Sequence, residues 1–167
     1  MIRLLLNVFS ACGYLLLHEV NYNFPKILNV CSNINNQLRK TIDEIALTMN
    51  DNGFPVIIQK EHSTGIICNE EDGHYGYMLI DDKNHTNIYI NNKILYLPNT
   101  LYNVVLHEIL HAIGLNHNKG EYGIMNYAIT ENWFGYPIND NRKLWLSIDD
   151  LRGLYDIKYV KGLITKK

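Results

Sequence analysis

The chain has little of several things that would fix its class at once. Only three of its 167 residues are cysteine, and Cys12, Cys31 and Cys68 make no short-spaced metal pair. An odd number cannot be fully paired within the chain, so buried free thiols are the default expectation. Loss of an N-terminal segment containing Cys12 would leave Cys31 and Cys68 to form a disulfide. With four prolines and no repeat or low-complexity segment, the sequence has no linker that divides two domains. Neither sign of charge dominates: 15 basic and 17 acidic residues give a formal net charge of -2, and no basic surface for nucleic acid. No apolar run reads as a membrane span, because Leu4–Leu17 is short and broken by Asn7, Ser10 and Gly13.

What is present suits one globular domain. A length of 167 residues and an apolar fraction of 47 % allow a real core but not a catalytic domain plus a binding module. Asparagine is frequent, at 22 residues, and single asparagines in loops are turn formers. Arg3 followed by Leu4–Leu17 has the positive start and apolar stretch of a signal peptide. The alternatives are an intact N-terminal strand or helix and, from Phe9-Ser10-Ala11-Cys12, a lipoprotein site with a poor first residue. Residues 1–17 are therefore set apart as a signal peptide or N-terminal apolar segment, and residues 18–167 as a single domain. Removal of residues 1–17 would make the protein secreted; retention with Leu4–Val8 buried would make it intracellular.

The periodicity of the remainder predicts strands over Lys26–Cys31, Pro55–Gln59, Thr64–Cys68, Tyr75–Ile80 and Thr86–Asn91. A helix starts at Asn33 or Asn35 and runs to about Met49, with Leu38, Ile42, Ile45, Ala46 and Met49 as its packed stripe. Asp51-Asn52-Gly53 ends it. A second helix runs from about Leu101 to Gly114 and offers Leu106, Ile109, Leu110 and Ile113 to the sheet. A last one opens at Ser147, with Asp150 three residues on as a capping box. The order of elements predicts an α+β fold.

The residues His107-Glu108-Ile109-Leu110-His111-Ala112-Ile113-Gly114-Leu115-Asn116-His117 carry most of the chemistry. His107 and His111 are four apart, so a helix stacks them on one face, where both reach one ion. Gly114 ends the helix at positive φ, and the turn returns His117 as a third nitrogen. Three neutral imidazoles leave one tetrahedral position open, the pattern of a catalytic zinc site and not of a closed structural one. Zinc would lower the pKa of its bound water and polarise a carbonyl, and Glu108, one step round the helix, would take the proton from that water. The bland alternative is a set of surface histidines beside a chance glutamate. It leaves unexplained why a core helix carries a carboxylate, since burying one without a partner costs several kcal/mol.

These residues match HExxHxxGxxH, and Gly123-Ile124-Met125-Asn126-Tyr127 lies where a Met-turn belongs. The chain thus resembles the metzincin zinc endopeptidases. Leu146-Ser147-Ile148-Asp149-Asp150-Leu151-Arg152-Gly153-Leu154-Tyr155-Asp156 is similar to the last helix of the matrixin catalytic domains within that group. Specific likeness covers residues 99–156. The resemblance implies a zincin fold: a twisted mixed sheet, a long active-site helix, a Met-turn and a C-terminal helix. It further implies a zinc-dependent endopeptidase that binds an extended peptide or protein substrate, as a monomer. The substrate would lie along an outer antiparallel strand, Tyr75–Ile80 or alternatively Thr86–Asn91.

The same resemblance assigns further roles. Met125 is apolar floor beneath the histidines. Met125-Asn126-Tyr127 departs from the matrixin Met-Tyr-Pro and is similar to the astacin and serralysin branches, where the tyrosine hydroxyl lies near the zinc. Tyr127 is thus an oxyanion stabiliser or, alternatively, a packed tyrosine. Residues 128–146, with Trp133, Phe134, Tyr136 and Trp145, are pocket wall or lower core. His62, Asp72, His74 and His85 lie where matrixins place a second zinc and calcium, but their spacing does not reproduce that arrangement. One catalytic zinc is expected, with calcium left open as a poorly matched further ion. Two other functions stay open beside the endopeptidase: a metal-dependent amidase on a non-peptide or cell-wall substrate, and a catalytically silent binding or inhibitory module.

Overall fold

Leu38, Ile42, Ile45, Ala46 and Met49 recur at helical spacing, and burying that stripe makes Asn36–Asp51 a helix, α1. Asn35 begins it: its side-chain oxygen accepts from the backbone N–H of Gln37 at 2.8 Å and Leu38 at 3.4 Å. Gly53 closes it just beyond, at φ 84°, a conformation that costs other residues steric strain. The computed structural model describes residues 15–16, 24–59, 65–70, 74–81, 85–117, 124–125 and 142–161. Within them the architecture is mixed α+β.

The strands are β1 (Leu15–Leu16), β2 (Lys26–Val30), β3 (Val56–Gln59), β4 (Gly65–Glu70), β5 (Gly76–Ile80), β6 (Thr86–Asn91) and β7 (Leu115–Asn116). Five form one sheet in the order β3-β2-β4-β6-β5. β3, β2, β4 and β6 are mutually parallel, and β5 joins the edge antiparallel to β6, with Gly76 opposite Ile90 and Ile80 opposite Thr86. The central strands present Leu28, Val30, Ile67, Ile88 and Ile90 to the core, as strands covered by helix require. β1 and β7 pair separately, Leu15 opposite Asn116 and Leu16 opposite Leu115. Leu4–Val8 lies outside the described residues.

Cys31 and Cys68 are joined by a disulfide with Cα atoms 5.3 Å apart, which corrects the default expectation of free thiols. The reason is register. Val30 lies opposite Ile67 on parallel neighbours β2 and β4, so the next residue on each side is a cysteine, and the Cys31 N–H donates to the Ile67 carbonyl at 3.0 Å. Such a bond fits an oxidising compartment.

The long helix, α2, spans Pro98–Ile113 and starts three residues before the expected Leu101, because proline suits a first helical turn whose N–H groups need no partner. Every residue from Thr100 to Ile113 is buried. The last helix, α3 (Ile148–Asp156), is capped at Ser147 and continues into a π-helical turn over Ile157–Lys161. Leu154 and Ile157 complete a core with Phe54, whose ring meets Tyr155 edge-on at 5.2 Å. No described helix is long and apolar enough to cross a membrane.

Candidate metal centre

The site is assembled at the C-terminal end of α2. His107 and His111 lie one turn apart there, and their rings meet edge to face with centroids 4.5 Å apart. Gly114 stops the helix at φ 126°, its N–H donating to the carbonyls of Leu110 and His111 at 3.1 and 3.0 Å. A side chain at that φ would be strained, so glycine permits the reversal. The short strand β7 then brings His117 back over the helix. His117 Nε2 lies 3.0 Å from His107 Nε2 and 3.2 Å from His111 Nε2.

The other face of each helical imidazole is occupied. His107 Nδ1 lies 2.8 Å from the Ile124 carbonyl, and His111 Nδ1 lies 2.7 Å from the Leu115 carbonyl. A carbonyl only accepts, so each Nδ1 carries the proton, and each neutral ring presents an Nε2 lone pair to the common centre. His117 has one proton to share among them. Three nitrogen atoms this close could together hold one cation. Zinc–nitrogen bonds of about 2.0–2.1 Å at tetrahedral angles would space the nitrogens roughly 3.3 Å apart, close to the separations found. The donor set fits zinc in both type and geometry. Among the described residues it is the one group of three or more histidine, cysteine or carboxylate side chains gathered closely enough to hold an ion.

Electrostatics point the same way. Burial holds His107 well below the usual histidine range, helped by His111 beside it, and brings His111 down to about 4; His117 is lowered too, again by burial. All three rings are neutral at pH 7, so little proton competition opposes a metal. Glu108 is only 5 % exposed, and burial pushes its carboxyl up to about 8. A carboxyl in that condition accepts or returns a proton near neutrality.

Support comes from the lower part. Met125 is fully buried. The Asp150 carboxylate accepts the backbone N–H of Met125 as well as that of Ser147, the latter at 2.9 Å, while the Asp150 N–H donates to Ser147 Oγ at 3.1 Å. Asp150 is 1 % exposed, and its pKa is raised by burial despite these donors. A chain of contacts thus runs from the α3 cap through the Ile124–Met125 turn to the His107 ring. The sequence shows Asp150 as a cap; nothing in it signals the second bond to Met125, nor the carbonyls of Ile124 and Leu115. Asn103 was missed as well: its side chain donates to the Arg142 carbonyl at 3.0 Å and accepts from the Leu144 N–H at 2.7 Å, fastening the segment before α3 to α2.

Other expected site residues fall differently. Tyr127, Trp133, Phe134 and Tyr136 lie outside the described residues, as do His62 and Asp72. Trp145 is partly buried against the core. His85 pairs locally with Asp81 across the β5–β6 turn, its Nδ1 3.2 Å from the carboxylate. β5 does form an antiparallel edge, next to α2.

No protein-family model matches the chain, and no curated protein matches it. A solved structure does: a chain of the GM1-bound form of the ECX AB5 holotoxin superposes with a TM-score of 0.51 at 16 % identity, covering 87 % of this chain and 84 % of that one. At that identity the likeness shows a shared fold. It also corrects one expectation. The solved counterpart belongs to a toxin assembly described by what it binds, and the zinc-dependent endopeptidase reading is withdrawn.

Proposed function

We propose that the chain is a metal-dependent amidase acting on a non-peptide or cell-wall substrate, in a zincin fold of metzincin type. The observation that supports this most is the enclosure of Glu108 beside three converging imidazole nitrogens. His107, His111 and His117 would hold one zinc ion, which when bound supplies Lewis acidity and lowers the pKa of water at the centre. Glu108 takes up the proton released when water attacks the amide carbon and returns it to the departing nitrogen. Tyr127 is a candidate donor to the developing oxyanion, and Met125 supports the histidines from below. Enclosure serves this chemistry: a carboxylate shielded from water is a stronger base than one at the surface. The disulfide fits a secreted protein, and the holotoxin likeness fits the same compartment.

A second reading is favoured by a different observation. A fold shared with part of a GM1-bound toxin assembly supports a catalytically silent binding module in a similar assembly. Glu108 discriminates the two, because a silent module has no use for a buried carboxyl.

The test is incubation of purified, zinc-analysed protein with a muropeptide mixture, followed by titration of newly released amino groups. The amidase reading expects one zinc per chain, and release that stops with a chelator and in Glu108→Gln. No release, with chelator-insensitive binding to GM1-containing vesicles, would establish the silent module instead. Chelator-sensitive cleavage of a random peptide library would overturn the non-peptide assignment.

A further inference from the structure

Gly76 opens the edge strand β5, where it lies opposite Ile90 of β6. A Cβ at that position would stand 2.5 Å from Val104 Cγ1, 3.2 Å from Glu108 Cγ and 3.3 Å from Ile90 Cδ1. Val104 and Glu108 are one helical turn apart, so they form a single stripe on α2. That stripe rests directly on the strand backbone at residue 76. No φ in the left-handed region is involved here; the need for glycine is one of space.

The strand cannot simply move away. Just before Gly76, the Tyr75 carbonyl accepts the Asn91 N–H at 2.9 Å, and the β5–β6 ladder continues from Gly76 to Ile80. Behind the helix stripe lies the fully buried core, with Val104, Val105 and Ile90 all at 0 % exposure. Strand and helix are therefore each held by their own contacts, and the space beside residue 76 is filled by Val104 and the aliphatic stem of Glu108, with Ile90 next to them. Added volume at residue 76 falls first on Val104 and then on Glu108 and Ile90, and of these only Glu108 carries a polar group whose position the shift would alter.

We infer that Gly76 is a positioning residue for Glu108: the missing side chain sets how close β5 comes to α2, and the strand backbone confines the carboxyl against the histidine cluster. This rests on the reading of Glu108 as proton acceptor and adds the device that aims it. The edge strand thereby acts on the centre through its backbone depth, whatever lies along its outer side.

The test uses Gly76→Ala, Val104→Ala and the double variant, loaded with cobalt(II) as a visible probe. Val104→Ala removes the worst overlap, so the double variant leaves only the contacts with Glu108 and the apolar Ile90, of which Glu108 alone can move the cobalt spectrum. The double variant is expected to melt with Val104→Ala, to keep its affinity for cobalt(II), and to shift the cobalt d–d bands toward the spectrum of Glu108→Gln. Turnover of the muropeptide mixture should fall severalfold, short of the roughly 100-fold that a displacement of about 1 Å at a reacting group brings, because Glu108 Cγ at 3.2 Å has little distance to give. A double variant with the spectrum of Val104→Ala and undiminished turnover would overturn the inference. If the wild type releases no amino groups at all, the amidase reading fails, and the spectra still decide whether Gly76 aims Glu108.

Discussion

Helices α1 and α2 have the same length, 16 residues each, and opposite relations to water. α1 is a stripe helix: Leu38, Ile42, Ile45, Ala46 and Met49 face the sheet, while Arg39 and Asp43 pair across its open side at 3.0 Å. Apart from Thr41, buried with its hydroxyl donating to the Gln37 carbonyl at 3.0 Å, its polar residues lie where any amphipathic helix puts them and report only on which face is outside. α2 has no outside along most of its length. Polar groups within it lose their water on folding, and three of them, His107, Glu108 and His111, fall in its last two turns; each imidazole recovers a hydrogen bond to a backbone carbonyl, while burial raises the Glu108 carboxyl. The contrast teaches where to look for function: a polar residue is informative when the fold has no reason to tolerate it.

Replacing His111 with alanine should break the comparison most severely. Loss of a supporting partner alone typically weakens a metal site 10–100-fold, so loss of the ligand should lower zinc affinity by more than about 100-fold, read by competition with a chromophoric chelator. No single polar substitution in α1 should alter metal binding. Apolar substitutions, by contrast, should treat the helices alike. Leu106→Ala in α2 and Ile42→Ala in α1 each remove a fully buried side chain and should cost about 2–5 kcal/mol in denaturant unfolding. A much smaller loss in α1 would show that its stripe is loosely packed.

The third prediction concerns Glu108 in the metal-free protein. Its carboxyl is raised from 4.5 to about 8 by burial, so the folded chain keeps a proton that the unfolded chain has already lost. This contribution to stability is fully present below pH 4.5 and disappears as the pH rises through 8. Glu108→Gln removes the dependence, and at pH 7 should stabilise the metal-free protein by about 3 kcal/mol, an advantage that fades toward pH 5. Thermal melts with and without chelator at pH 5 and 7 would check it. An equal gain at both pH values would mean that burial is not its source. The smallest effect belongs to α1: Asn35→Ala removes the side-chain cap and should cost about 1 kcal/mol, with no change at the metal centre.

Much of this was legible in the residues. Thr86–Asn91 is the strand its alternation predicts, and the α1 stripe is buried residue for residue. The three histidines converge because helical spacing and a glycine reversal are local rules, written within eleven consecutive positions. What was hidden depends on parts of the chain meeting across the fold. Cys31 and Cys68 are 37 residues apart, and only the parallel register of β2 and β4 joins them. The bond from Asp150 to Met125 is made to a backbone amide, which every sequence possesses, so no residue type announces it. The endopeptidase reading failed for another reason. A spacing rule describes how a metal is held, and the chemistry of the molecule brought to that metal is decided by surfaces outside the motif.

The tie between Asp150 and the Met125 turn has a consequence for the order of synthesis. His107, His111 and His117 leave the ribosome well before Asp150, yet the turn that holds the His107 ring depends on the Asp150 carboxylate. A nascent chain stopped short of residue 150 carries all three histidines and lacks the carboxylate that holds the turn beside the His107 ring. Completion of the histidine cluster's surroundings therefore waits for the far end of the domain.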